Sequence, residues 1–406
     1  MSRRVLALIA VVAIVVIVGG PTLLDRTPLR DVDGIALPSL DIALPSLGTS
    51  ADPAAEPTPR ATPIPVPGHE VYGFVPYWEM EGDIVDHVRG TKLTTLGLFS
   101  VTSAKNGKLD TKQTGWPRVT GDVGRRLARA AQDAGARVAL VYTSFGESKN
   151  SRFFGDAKAQ ATTVQGLVDL VDEMDLDGID VDVESLPVSD IGAFGEFVGT
   201  LRDALRERIH DATVSVATTS GLRGAAMASV AVDAGADRVF VMGYDYHWSG
   251  SVPGASAPLN RLDDNGDLPA TLELYRQAGI PVERTILGLP LYGMAWPVDS
   301  AEPDAVRIGK GDAWIPADHL DILRDSSLVA ERDPIQVVER LLLHTRDGFE
   351  AIYYDSPATL APKLDLANSE GLAGAGFWAL GYERGLPGYT RLIEKFAAGK
   401  SVAGDG

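Results

Sequence analysis

Asp177-Gly178-Ile179-Asp180-Val181-Asp182-Val183-Glu184 alternates acid with aliphatic residue once past its glycine. On a β-strand, residues two apart point to the same face. Asp180, Asp182 and Glu184 then share one face, and Ile179, Val181 and Val183 share the other. Carboxylates stacked on one face repel each other and are costly to bury. A strand that served only a core would carry aliphatic residues on both faces. The row makes chemical sense if protons are shared along it and the last acid stays partly protonated. Glu184, at the C-terminal end, is then placed for general acid chemistry. Two other readings fit part of the pattern. A solvated edge strand alternates in the same way. A calcium loop places acids at its first, third and fifth positions and glycine at its sixth, but here Gly178 falls among the first acids and β-branched residues fill the gaps. The helix-like stretch from Ala159 to Met174 favours a strand that follows a helix, as in a βα repeat.

On both sides of this stretch, short apolar runs alternate with amphipathic ones. The pattern predicts strands at Val71–Val75, Leu93–Phe99, Arg137–Tyr142, Gly178–Glu184, Thr213–Thr218, Arg238–Gly243, Thr285–Pro290 and Gly374–Leu380. Helices are expected between most of them, among others at Asp122–Ala134, Asp190–Ile209, Leu268–Ala278 and Ile335–Thr345. Eight such units predict an α/β fold, a (β/α)8 TIM barrel. A doubly wound sheet also alternates, but the polar strand ends suit a barrel better. The extra strand-like run Glu350–Tyr354 belongs to a small insertion before the last barrel strand. In a barrel, functional residues sit at the C-terminal strand ends, and several aromatics gather there. Tyr77 and Trp78 follow strand one. Met242, Tyr244, Asp245, Tyr246 and Trp248 end or follow strand six. Tyr292 and Trp296 follow strand seven, and Trp378 ends strand eight. Flat aromatics cover the apolar faces of sugar rings.

The chain has 406 residues, enough for one large domain with additions, and a formal net charge of −18. That charge argues against nucleic acid as a partner and suits an enzyme that acts on a neutral polymer. The absence of cysteine excludes disulfides and thiol chemistry. No HExxH, GxSxG or phosphate-loop pattern occurs, the histidines are scattered, and no cofactor or metal is expected. Asp263-Asp264-Asn265-Gly266-Asp267 has the composition of a solvated turn more than of a cation site. At the start, Arg3 and Arg4 precede an unbroken apolar run from Val5 to Val18, so residues 1–24 read as a signal-anchor or a signal peptide. No Ala-x-Ala site follows, which favours an uncleaved anchor in the membrane. Either way, the positive-inside rule puts the remainder outside the cytoplasm, anchored or secreted. Residues 25–67 read as a Pro-rich disordered linker that repeats Ile-Ala-Leu-Pro-Ser-Leu at 35–40 and 42–47. Residues 68–400 form the catalytic barrel, expected to be a monomer.

Asp177-x-x-Asp180-x-Asp182-x-Glu184 resembles the DxxDxDxE motif of glycoside hydrolase family 18, which includes chitinases and related N-acetylglucosaminidases. Met242-x-Tyr244-Asp245 resembles the family's strand-six signature, and Trp378 the tryptophan that floors its site. Tyr244 to Gly250, Gly288 to Gly293 and Phe377 to Tyr382 are together similar to the bacterial branch that contains spore-cortex-lytic enzymes. The family's strand-three Ser-x-Gly-Gly reads only Ser144-Phe145-Gly146 here, and no LysM-like repeat precedes the barrel.

The resemblance implies hydrolysis of a polysaccharide containing N-acetylglucosamine, with chitin, peptidoglycan or a glycan core as alternatives. It also implies substrate-assisted catalysis, in which the sugar's own acetamide is the nucleophile. Glu184 is then the acid and later the base, Asp182 orients the acetamido nitrogen, and Asp180 shares Asp182's proton. Tyr244 holds the carbonyl oxygen, and Asp245 also contacts the N-acetyl group. Asp177 is structural. The alternative is a lectin-like barrel that binds sugar without cleaving it, for which the stacked acids have no evident use.

Overall fold

Runs rich in valine, leucine and isoleucine become the parallel staves of a closed barrel, because strands covered by helices outside and by side chains inside are buried on both faces. The computed structural model describes residues 69–399, apart from 262–264 and 347. The N-terminal run of 1–24, the Pro-rich stretch of 25–67 and the first two acids of the predicted turn, Asp263 and Asp264, lie outside the described residues. Asp267, the last acid of that turn, caps the helix Leu268–Gln277 by accepting from the Ala270 amide at 2.9 Å.

The strands are β1 (Glu70–Pro76), β2 (Thr95–Thr102), β3 (Arg137–Phe145), β4 (Gly178–Glu184), β5 (Thr213–Thr219), β6 (Arg238–Met242) and β7 (Thr285–Pro290) of the barrel. There follow β8 (Gly293–Val298), β9 (Asp312–Trp314), β10 (Glu331–Asp333), β11 (Val338–Thr345) and β12 (Gly348–Tyr354) of an insertion, and then β13 (Gly374–Trp378). β1 to β7 pair in sequence order, and β13 closes the ring between β7 and β1. Helices such as Ala157–Glu173 and Ile191–Arg208 cover the outside. The first of these buries Val164, Leu167, Val168 and Val171, the helical spacing that puts one apolar stripe on the sheet. The eight-stranded α/β barrel expected from the sequence is therefore present.

The insertion lies between the seventh and last barrel strands, where it was expected. Its five strands pair antiparallel in the order β10-β11-β12-β8-β9 around a small core of Ala295, Trp314, Leu341, Ile352 and Tyr354. One expectation is corrected here. Ile335–Thr345 is not a helix, and most of it is β11, which pairs with β12 from Glu339–Tyr354 to Thr345–Gly348. A short apolar run such as Leu341-Leu342-Leu343 fits either period, and pairing with Ile352, Ala351 and Glu350 of β12 decides for the strand.

The barrel interior is filled beneath its C-terminal mouth by three rings. Tyr72, Phe74 and Phe240 lie with centroids 4.8, 5.8 and 4.9 Å apart. Glycine makes the room. A Cβ at Gly376 would stand 2.4 Å from the Phe240 ring and 2.8 Å from the Tyr72 carbonyl oxygen, and one at Gly288 would stand 2.4 Å from the same Phe240 ring. Gly376 and Gly288 are paired in register, so one ring fills the space left on two neighbouring strands. Gly376→Ala is expected to destabilise the protein by about 1–3 kcal/mol, the range for overpacking a core. Urea denaturation followed by tryptophan fluorescence measures this, and an unchanged midpoint would show that the interior has slack.

Candidate active site

β4 lies between β3 and β5, with Asp180 level with Ser215 and Asp182 level with Thr143 and Ala217. All three acids are buried: Asp180 is 0% exposed, Asp182 6% and Glu184 8%. Exposure rises toward the C-terminal end, so Glu184 is the acid that a ligand reaches first. Burial disfavours the charged form of a carboxyl group, and neighbouring carboxylates disfavour it further. Asp180 is pushed up to about 6 by burial, against the hydrogen bonds from Ser215 and Tyr72, which pull it down. Asp182 is raised well above the ordinary range by burial and then by the charge of Asp180. Glu184 is raised well above it by burial and then by Asp182 and Asp245. Near neutral pH the row therefore retains protons, and the solvated edge-strand reading fails because the strand is buried on both faces.

Only the innermost acid has a fixed set of donors. The Ser215 hydroxyl donates to Asp180 Oδ2, and the Tyr72 hydroxyl reaches the same oxygen at 3.5 Å. Asp180 Oδ1 and Asp182 Oδ1 are buried without a hydrogen-bond partner. A bare buried carboxylate oxygen is expensive, which again favours protonation along the row. Asp177 does structural work at the other end of the strand. Its carboxylate accepts from the Val138 amide at 2.8 Å and from Gln132 at 3.1 Å, tying the start of β4 to β3.

Tyr244 is buried within reach of the acids' charges. Its phenol is raised by burial, then by Asp182, Asp245, Glu184 and Asp180, so it remains a proton-bearing donor. Asp245 has φ +62°, a left-handed conformation that Asp tolerates better than most residues. The Asp245 amide donates to Ser256 Oγ at 3.0 Å, the Tyr292 hydroxyl donates to its carboxylate, and Ser256 Oγ donates to the Tyr292 hydroxyl at 3.1 Å. Tyr292 packs edge-on to Tyr244 at 6.2 Å.

The aromatics from the first and last barrel strands meet. Trp378, half-buried, lies 6.2 Å from Trp78 and 4.7 Å from Phe99, with Phe74 beneath at 5.9 Å. Trp78 donates its indole N–H to the Tyr382 hydroxyl at 3.0 Å, and Tyr77 packs edge-on against Trp78. Met242, at the end of β6, is half-buried against the core.

Other predicted residues are placed differently. Tyr246 turns its hydroxyl to the outer helix, on Thr271 Oγ1 and the Asp267 carbonyl. Trp248 lies over Gly250 in the loop after β6. Trp296 is corrected: it is 0% exposed, edge-on to Tyr353 within the insertion, and presents no face to a ligand. The insertion folds back over it, which a strand-end position in the sequence does not reveal. His247 is also buried, with Nδ1 against the Val252 carbonyl at 2.9 Å. Tyr72, Ser215 and Ser256 were missed, because they join the acids only through neighbouring strands and loops. Phe99 was missed although it ended a predicted strand with an aromatic.

The sequence model described as glycosyl hydrolases family 18 matches residues 71–383. A protein of Bacillus subtilis (strain 168) described as a sporulation-specific glycosylase is 32% identical over 143 residues, which cover 34% of this chain and 32% of the relative. The chain thus spans about a third of that relative's length. Among solved structures, the spore cortex-lytic enzyme of Bacillus cereus superposes with a TM-score of 0.65 at 19% identity, over 81% of this chain and 74% of the other. A chitinase of Cycas revoluta in complex with (GlcNAc)3 superposes with a TM-score of 0.70 at 19% identity, over 80% of this chain and 99% of the other. At that identity the likeness to the solved structures shows the fold.

The raised Asp180 has a consequence for stability. A carboxyl group raised on folding stabilises the native state fully below its unfolded value, about 3.9, and that stability is lost as pH rises through its folded value. For Asp180 the window is pH 4 to about 6, and the loss is on the order of 3 kcal/mol. Asp180→Asn should flatten the stability curve across that window in chemical denaturation at a series of pH values. An identical slope in wild type and variant would show that Asp180 does not titrate there.

Proposed function

The chain belongs to the glycosyl hydrolases of family 18, and from that premise we propose that it cleaves β-1,4-linked polysaccharide containing N-acetylglucosamine by substrate-assisted, retaining catalysis. The observation that carries this reading is the buried acid row of β4, in which burial and mutual repulsion favour the protonated form of Asp182 and Glu184, with Tyr244 buried within reach of their charges. A lectin-like barrel would have no use for this arrangement. The names of the similar proteins, a chitinase with (GlcNAc)3 and a spore cortex-lytic enzyme, support chitin or peptidoglycan as the substrate class.

The proposed reaction uses the substrate's own 2-acetamido group. Its carbonyl oxygen attacks the anomeric carbon, the bond from that carbon to the glycosidic oxygen breaks, and the Glu184 proton goes to the leaving oxygen. Tyr244 donates to the carbonyl oxygen and holds it beneath the anomeric carbon. Asp182, sharing a proton with Asp180, accepts from the acetamido N–H and stabilises the positive charge that develops there. Glu184, now ionised, then takes a proton from water as the water attacks the anomeric carbon and opens the cyclic intermediate. Two inversions give net retention. Trp378, with Trp78 beside it, floors the cleaved sugar.

Glu184→Gln keeps the shape and removes the proton. Activity on N-acetylglucosamine oligomers should fall at least about 10²-fold with binding retained, while a variant within about twofold of wild type would sink the assignment. The first product should be the β-anomer by NMR. Oligomers deacetylated on the non-reducing side of the cut should not be hydrolysed. An α-anomer, or equal cleavage of both oligomers, would overturn the substrate-assisted route.

We also propose that the apolar run from Val5 to Val18 tethers the enzyme to a membrane through the Pro-rich stretch. Among the described residues no helix is long and apolar enough to cross a membrane. Full-length protein should sediment with membranes, and a chain starting near Gly68 should stay in the supernatant with full activity. Full-length protein that stays in the supernatant rejects the tether.

A further inference from the structure

Glu184 stands where its strand is losing its partners. On the β5 side the pairing of β4 ends at Asp182–Ala217, and only the β3 side continues, to Phe145–Glu184. The next residue, Ser185, has φ +59°, so the chain turns sharply just past the acid. A catalytic side chain on a half-paired strand end needs its main chain fixed by something else.

That fixing comes from the segment after β3. The Glu184 carbonyl oxygen accepts from the Asn150 side-chain amide at 2.6 Å and from the Gly146 amide at 3.2 Å. Asn150 lies on the helix Glu147–Phe154, is 0% exposed, and also receives the Ser144 hydroxyl on its Oδ1 at 2.7 Å. Ser144 is itself fully buried. The arrangement fixes which way the amide points: only its NH₂ can serve a carbonyl, and only its oxygen can accept from a hydroxyl at 2.7 Å in this pairing. A fully buried amide that holds one main-chain carbonyl and is itself held by a second buried side chain is a costly fitting if its role is packing alone.

We propose that Asn150 is a positioning residue for Glu184, clamping the main-chain carbonyl of the proton donor with Gly146, and that Ser144 sets the orientation of the clamp. This rests on the reading of Glu184 as the proton donor. It also gives a role to the serine of the departed Ser144-Phe145-Gly146 segment. The second glycine position there is Glu147, the first residue of the helix that delivers Asn150.

The test compares wild type, Asn150→Ala and the milder Ser144→Ala, which spares the clamp but frees its orientation. If Asn150 positions the acid, kcat falls by about tenfold or more while KM stays within about twofold, because a small displacement of a catalytic group is felt mainly in the chemical step. Ser144→Ala shows the same split at smaller amplitude. A loosened Glu184 meets more water, so the basic limb of the pH–rate profile moves to lower pH. An independent readout is the carboxyl titration of Glu184 by ¹³C NMR, assigned through its loss in Glu184→Gln, whose midpoint should fall in both variants. An unchanged Glu184 midpoint and unchanged kcat, with only the thermal midpoint lowered, would reduce Asn150 to a packing residue and overturn the proposal. If wild type cleaves no N-acetylglucosamine oligomer, the proposed function fails, and the NMR midpoints still decide whether Asn150 positions Glu184.

Discussion

Keeping carboxyl groups out of water along β4 is the constraint around which the barrel is arranged. Desolvation is the largest influence on each of Asp180, Asp182 and Glu184. Such a row is tolerable only if the acids hold protons or are given donors. The structure does both, in an order that follows depth. The deepest acid, Asp180, has Ser215 and Tyr72. The middle one, Asp182, is raised by burial and then by the charge of Asp180, both of which favour its protonated form. The outermost, Glu184, is the least buried of the three, and its carboxyl group has no side-chain hydrogen-bond partner among the described residues. Tyr72 joins this row to the interior, since its ring also packs on Phe74 and Phe240.

The mouth of the barrel is closed where the first and last strands meet. Trp78 donates to Tyr382, His87 Nε2 lies 2.6 Å from Glu383 Oε1, and Arg384 pairs with Glu79. Glu383 is buried and its other oxygen accepts from the Gly381 amide at 2.9 Å. These bonds join the segment after β1 to the segment after β13, where Trp78 and Trp378 lie 6.2 Å apart. The insertion is tied to the barrel's outer layer by a buried pair, Lys363 with Asp355, which Thr359 supports at 2.8 Å. Burial lowers Lys363 and raises Asp355, and their mutual attraction opposes both shifts. The pair is specific more than strongly stabilising, since desolvation offsets much of the attraction.

The acid row, the strand-end aromatics and the eight-unit alternation were legible because each is a local pattern. Period-two alternation puts Asp180, Asp182 and Glu184 on one face whatever surrounds the strand, and the β4 bounds expected from Gly178 to Glu184 are those observed. Patterns read less well where local preference is balanced. The Leu341 to Leu343 run had no period of its own, and its state came from β12 beside it. Trp296 looked like Trp378 in sequence, an aromatic near a strand end, yet one is enclosed by the insertion and the other is left half-open.

By itself the sequence determined the barrel, the face that carries the acids and the direction in which they open, because these depend on residue type and on spacing along one strand. The tertiary structure decided which of those acids keep protons, since desolvation is a property of what closes over a group and not of the group itself. It also decided the partners: Ser215 and Tyr72 on Asp180, Ser256 and Tyr292 on Asp245, and Asn150 on the Glu184 carbonyl. Each of these reaches its acid across a separation of 11 to 108 residues, so hydrogen bonds between such positions exist only once the chain has folded.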